Sequence, residues 1–87
     1  MIVELPDRPG SLGQVTTLLG RLGVDIRQMR VLSRDGAVAT DEFLISVPGS
    51  VIDRTLPELL EEIQGVRVLA SVLTGTDSGI ADAIVAL

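Results

Sequence analysis

Cysteine, histidine, lysine, asparagine, tryptophan and tyrosine are all missing from this 87-residue chain, and Phe43 is its one aromatic residue. Without Cys or His there is no disulfide, no thiolate or imidazole metal site and no His-dependent nucleophilic triad. All seven basic residues are Arg, which removes Schiff-base lysine chemistry and a P-loop lysine. Carboxylates and hydroxyls are the catalytic groups left. A net charge of -5 and a pI near 4.4 work against nucleic acid, whose phosphates need a basic surface. Single strands also need stacking rings, which one phenylalanine does not supply. Long apolar runs are missing too, because polar residues interrupt every stretch before the roughly 18 to 20 residues of a spanning helix. The opening Met1-Ile2-Val3-Glu4 has neither the basic region nor the apolar run of a secretory leader, so the cytoplasm is the expected setting and no membrane is involved.

What is there is a heavy apolar load. Hydrophobic residues make up 46% of the chain and the mean hydropathy is +0.48. A single domain this small buries only roughly 60–65% of the surface its unfolded chain exposes. Part of the apolar surface is therefore expected to be covered from outside the chain.

The pattern along the chain alternates strands and helices. Ile2–Leu5 reads as a short strand ended by Pro6-Asp7-Arg8-Pro9-Gly10, where two prolines and a glycine fix a loop. Ser11 and Gln14 have capping-box spacing, and Leu12, Val15, Leu18, Leu19 and Leu22 make one helical stripe. Gly23 is placed to end that helix in the left-handed conformation. Val24–Arg34 reads as a strand whose apolar parity switches between Val24/Ile26 and Met29/Val31, which predicts a bulge. Asp35-Gly36 is a hairpin turn, and Ala37–Val47 returns with Phe43, Ile45 and Val47 on one face before Pro48-Gly49-Ser50. Thr55 and Glu58 repeat the capping box, with Pro57 in the first turn, and Leu56, Leu59, Leu60 and Ile63 form the stripe before Gly65. The acidic Glu58, Glu61 and Glu62 read as a solvated face. Val66–Leu73 is apolar on both parities, as in a strand covered on both sides.

Residues 74–87 read as a polar connector followed by a helix from Ile80 to Leu87, capped by Asp77 or Ser78. That tail either docks on the domain's own sheet or runs on into a further domain. The division is thus 1–73 for the folded unit and 74–87 for connector and helical tail. The β-α-β-β-α-β order predicts an α+β fold of the ferredoxin-like kind, a two-layer plait with a four-stranded antiparallel sheet and both helices on one face. The other sheet face is expected to be bare and covered by a second copy in a homodimer or by a neighbouring domain.

Between the first strand and the Leu-rich helix, Asp7-Arg8-Pro9-Gly10-Ser11-Leu12 resembles the D-x-P-G-x-L signature of ACT domains. Gly23-Val24-Asp25-Ile26 resembles the segment that begins strand two in that family, and the similarity in element order runs from about Ile2 to Leu73. The resemblance implies a non-catalytic, allosteric regulatory domain that binds a free amino acid between paired domains. The site it implies is formed by Asp7, Arg8, Pro9, Gly10, Ser11 and Leu12 of one subunit and Val24, Asp25 and Ile26 of the other. It includes no metal and no cofactor, and its output passes to a fused or associated regulated domain.

The chemistry of these residues agrees with that implication. A helix N-terminus offers unpaired N–H groups and a positive dipole end to a carboxylate. Gly10 lets a ligand approach the main chain, and Asp7 or Asp25 can accept hydrogen bonds from an ammonium. The structural alternative is that Asp7 caps the turn, Arg8 is a solvated charge and Pro9-Gly10 only redirects the chain. Many members of the family carry Asn where this chain has Asp25; an ionised carboxylate only accepts hydrogen bonds, so it favours an amine and repels a carboxylate. Gln28 is a substitute amide or a surface strand residue. Two further readings follow: a ligand-free dimerisation module of the same fold, and an acylphosphatase using Arg8. The latter resemblance requires an Asn that this chain lacks.

Overall fold

The computed structural model describes the backbone of residues 1–49, 55–77 and 80–84, and the side chains of residues 1–49 and 56–72. Eight elements follow in order: β1 (Ile2–Pro6), α1 (Ser11–Arg21), β2 (Asp25–Arg34), β3 (Val38–Pro48), α2 (Thr55–Glu61), β4 (Arg67–Ala70), β5 (Val72–Asp77) and β6 (Ile80–Ile84). The first six give the expected β-α-β-β-α-β order.

All strand pairings are antiparallel, and they arrange six strands in four rows. The long β3 is central. On one edge it pairs with β2, from Asp25↔Ser46 to Arg34↔Ala39. On the other edge it pairs first with β1, from Pro6↔Val38 to Ile2↔Glu42, and then with β6, from Ile45↔Ala83 to Pro48↔Ile80. Since β2 already occupies the opposite edge at Ile45 and Ser46, β6 and β1 lie end to end in one row. β4 pairs β1 and β5 pairs β6 outside them. The row order β2-β3-β1-β4 is that of the ferredoxin-like plait.

Residues 74–77 and 80–84 lie in β5 and β6 and not in the connector and helix expected of them. An eight-residue helix has too few hydrogen bonds to offset its nucleation, whereas β6 pairs with the length of β3 that β1 leaves open and β5 pairs with β6. The reading of the tail beyond Ile84 lies outside the described residues.

The two helices cover one face. β3 turns Ala39, Phe43, Ile45 and Val47 toward them, where they pack with Val3 and Leu5 of β1, Val15 and Leu19 of α1, and Leu56 and Leu60 of α2. Asp41 shares this inward parity. Among the described residues the opposite face has no helix on it, and Leu69 of β4 is 48% exposed. That face carries two exposed ion pairs, Arg30–Glu42 at 2.6 Å and Arg67–Glu4 at 3.9 Å.

Local sequence rules hold at several ends. Val24 N donates to Leu19 O at 2.9 Å and Gly23 N to Gly20 O at 3.1 Å, which is the Schellman closure expected at Gly23. The bulge predicted in β2 lies between Ile26 and Gln28, and a second one falls between Val31 and Ser33. The hairpin loop is three residues, not two. Asp35 Oδ1 accepts hydrogen bonds from Ala37 N and Val38 N, so an Asx-type turn replaces the two-residue form. α2 ends at Glu61, short of Ile63, and Glu61 is not merely solvated, since its Oε2 accepts a hydrogen bond from Val68 N at 2.9 Å.

Candidate functional site

β1 ends at Pro6, and the chain then turns over the end of the sheet. Asp7 N donates to Ala37 O at 3.0 Å and Arg8 N to Pro6 O at 3.0 Å, so the loop is tied to the β2–β3 hairpin. Gly10, not Ser11, is the N-cap of α1. Its φ of 89° is left-handed, and no side chain caps the first turn. The Ser11/Gln14 capping box therefore does not form. Ser11 is already helical and buried, and its backbone N–H donates to Arg8 O. The first turn of α1 keeps the positive end of its dipole without a side-chain acceptor.

Beside this turn lies a cleft of about 420 Å³ that is lined by every residue from Asp7 to Leu12. Its far wall comes from Val31 and Arg34 of β2 and from Ala39 and Asp41 of β3. Arg34 reaches across the rim to Asp7. Its Nη2 lies 2.9 Å from Asp7 Oδ1 and its Nε 3.3 Å from Oδ2, a two-pronged charge-assisted contact. The hydrogen bonds and charge of Asp7 raise the Arg34 pKa above its ordinary value. Asp41 is 3% exposed, and its Oδ1 has no hydrogen-bond partner. Burial pushes its carboxyl pKa up, while nearby Arg34 pulls it down and Asp7 pushes it further up.

The second group of expected site residues is elsewhere. Val24 is buried in the core, Asp25 is exposed and Ile26 is half-buried. Asp25 pairs with Ser46, whereas the first loop begins beside Val38. Eight residues of β3 separate them, roughly 26 Å at about 3.3 Å per residue. One protomer does not bring the two groups together. Gln28 is an exposed residue of β2.

Sequence reasoning missed Arg34, Val31 and Asp41. A usable signal existed for Asp41, because it is the one charged residue on the inward parity of β3 among Ala39, Phe43, Ile45 and Val47. It also missed a second, open cleft of about 570 Å³ between α1 and α2, walled by Thr17, Leu18, Arg21, Leu59 and Glu62. Among the described residues no Asp/Glu group is arranged to hold a metal ion, and no helix is long and apolar enough to cross a membrane.

The outer edge of β2 has no strand beside it among the described residues. Met29 and Val31 are 38% and 51% exposed there, on the side where the cleft opens.

Comparison with models of known families matches residues 1–68 to the one described as the ACT domain. No curated protein and no solved structure matches the chain.

Proposed function

The chain belongs to the ACT domain family, whose members are regulatory, ligand-binding domains, and from that premise we propose that it pairs with a second copy and binds a free amino acid at the seam. The observation that carries this reading is the cleft at the uncapped start of α1, lined by the whole first loop. A zwitterion's carboxylate suits the amide donors and dipole of that turn, and the Arg8 guanidinium stands exposed beside it.

The open β2 edge supports the pairing. If two β2 strands run antiparallel about a twofold axis, the start of one strand lies opposite the end of the other. Asp25 and Ile26 of the partner subunit then stand beside Arg34 and the first loop, which closes the 26 Å gap within one protomer. Such pairing also covers Met29 and Val31 and removes an exposed edge. Binding that favours one arrangement of the pair passes a signal to a fused or associated regulated domain. The same proposal sets the domain in the cytoplasm and assigns it no catalytic step.

The test joins sedimentation with a thermal-shift screen of the twenty common amino acids. A binder at 100 times its Kd adds roughly 2.7 kcal/mol to stability. A monomer that no amino acid stabilises overturns the reading. One observation favours the ligand-free pairing module instead: Arg34 already satisfies Asp7, so that carboxylate needs no ligand. A dimer indifferent to every amino acid supports that second reading.

A further inference from the structure

Four charged side chains line the first-loop cleft: Asp7, Arg8, Arg34 and Asp41. Two of them satisfy each other, since Arg34 grips Asp7 with two nitrogens. The other two do not meet. Arg8 makes no ion pair among the described residues, and Asp41 Oδ1 is buried with no hydrogen-bond partner. The two groups are opposite in charge, and both line the same cleft.

A carboxylate with one oxygen buried and unpaired is out of place on the core-facing side of β3. Buried charges are normally paired or hydrogen-bonded, because the penalty of leaving water is otherwise uncompensated. Nothing else in the packing requires it, for the neighbouring inward positions Ala39 and Phe43 are apolar. A partner for Oδ1 must donate a hydrogen bond, and positive charge on it offsets the burial of the carboxylate; none of the described residues donates to Oδ1. An ammonium fits both conditions, with three donors and one charge. Asp41 lines the cleft, and the Arg34 side chain that spans its rim is 66% exposed. Within one protomer Asp25, the ammonium acceptor the sequence suggested alongside Asp7, stands at the other end of β2, and Asp7 is already engaged; Asp41 is the acceptor that lines the cleft of the same chain.

We infer that Asp41 is the specificity-determining residue of the cleft: it accepts the ligand's ammonium, so that the site selects amino acids over acids of the same shape that lack the amine. This rests on the amino-acid reading above and adds to it the group that enforces the choice. The carboxylate end then meets Arg8 and the first turn of α1, and the two unpaired charges are satisfied by one zwitterion.

The experiment compares the tightest-binding amino acid of the screen with its 2-hydroxy counterpart, which keeps the carboxylate and side chain and replaces the ammonium by a neutral hydroxyl. Affinities are measured by calorimetry on the parent protein and on Asp41→Asn. The parent is expected to prefer the amino acid by about 30-fold or more, the scale of a charge-assisted hydrogen bond in a buried site. Asp41→Asn is expected to bring that ratio close to one by weakening the amino acid alone, with a melting temperature no lower than the parent's. An amino acid that binds the parent no better than its hydroxy counterpart overturns the Asp41 assignment and leaves the sensor reading standing, whether or not the variant folds. A preference that survives Asp41→Asn unchanged does the same. Failure of every amino acid to bind the parent overturns both.

Discussion

The Arg34 guanidinium holds Asp7 at 2.9 Å across a separation of 27 residues, joining the end of the outermost strand to the loop that opens the first helix. That contact forms the rim of the cleft. It also acts on Asp41, whose carboxyl pKa is raised chiefly by burial: Arg34 favours the ionised carboxylate and Asp7 opposes it.

Replacing Arg34 by Gln leaves that carboxylate with burial and Asp7 repulsion alone. Asp41 is expected to titrate at a higher pH in Arg34→Gln than in the parent. Carboxyl-carbon NMR titration reads this directly. An unchanged or lowered Asp41 midpoint would show that the guanidinium does not act on it.

Stability should carry the mark of the same group. Burial raises the folded-state pKa of Asp41 above the ordinary carboxylate value of 3.8, so between those two values the folded chain binds more protons than the unfolded one. Stability from this residue is then present below pH 3.8 and is lost as pH rises through the raised value. Urea unfolding of the parent and of Asp41→Asn across pH 4 to 7 checks this. The variant is expected to lack that segment of decline and to gain on the parent as pH rises.

Two glycine substitutions should act in opposite directions. Gly65 has a φ of 85°, and a Cβ there would lie 2.7 Å from Pro6 Cγ, so Gly65→Ala is expected to cost about 1–3 kcal/mol. Gly20 lies within α1 with nothing within 4 Å of an added Cβ, and Gly20→Ala is expected to stabilise by roughly 0.5–1 kcal/mol. Denaturant midpoints at constant slope separate the two. Equal effects would mean that the contact at Pro6 is not a constraint.

The outer edge of β2 supplies a test of assembly. A glutamate in place of Val31, which is 51% exposed, leaves the core untouched and sets like charges together across a twofold seam. Val31→Glu is expected to sediment as a folded monomer at concentrations where the parent is a dimer. A variant that pairs as well as the parent would move the seam to another surface.

Local signals served the first two-thirds of the chain well. The Leu stripe, the glycine after Leu22 and the parity switch in β2 each report on nearest neighbours, and each produced the expected helix, Schellman end and bulge. The capping box misled, because Ser11 and Gln14 have the right spacing but the left-handed Gly10 starts the helix one residue earlier. Ile80–Ile84 misled for the converse reason. Its partner is Ile45–Pro48, more than 30 residues back, and no local pattern encodes a free edge at that distance. The cleft was half legible. Its near wall is a contiguous motif from Asp7 to Leu12, whereas its far wall of Val31, Arg34 and Asp41 depends on how β2 and β3 are laid beside the loop. The assignment of Val24–Ile26 to the site implied a second protomer from the outset, and one chain keeps that segment at the other end of the sheet.

The two hydrogen bonds that close α1 onto Gly23 and Val24 leave no slack between the helix and the strand that follows it. Eleven helical residues make a rod of roughly 16 Å, anchored by Leu19 and Val24 in the same core. The first turn of α1 and the start of β2 are thus the two ends of one continuously hydrogen-bonded unit.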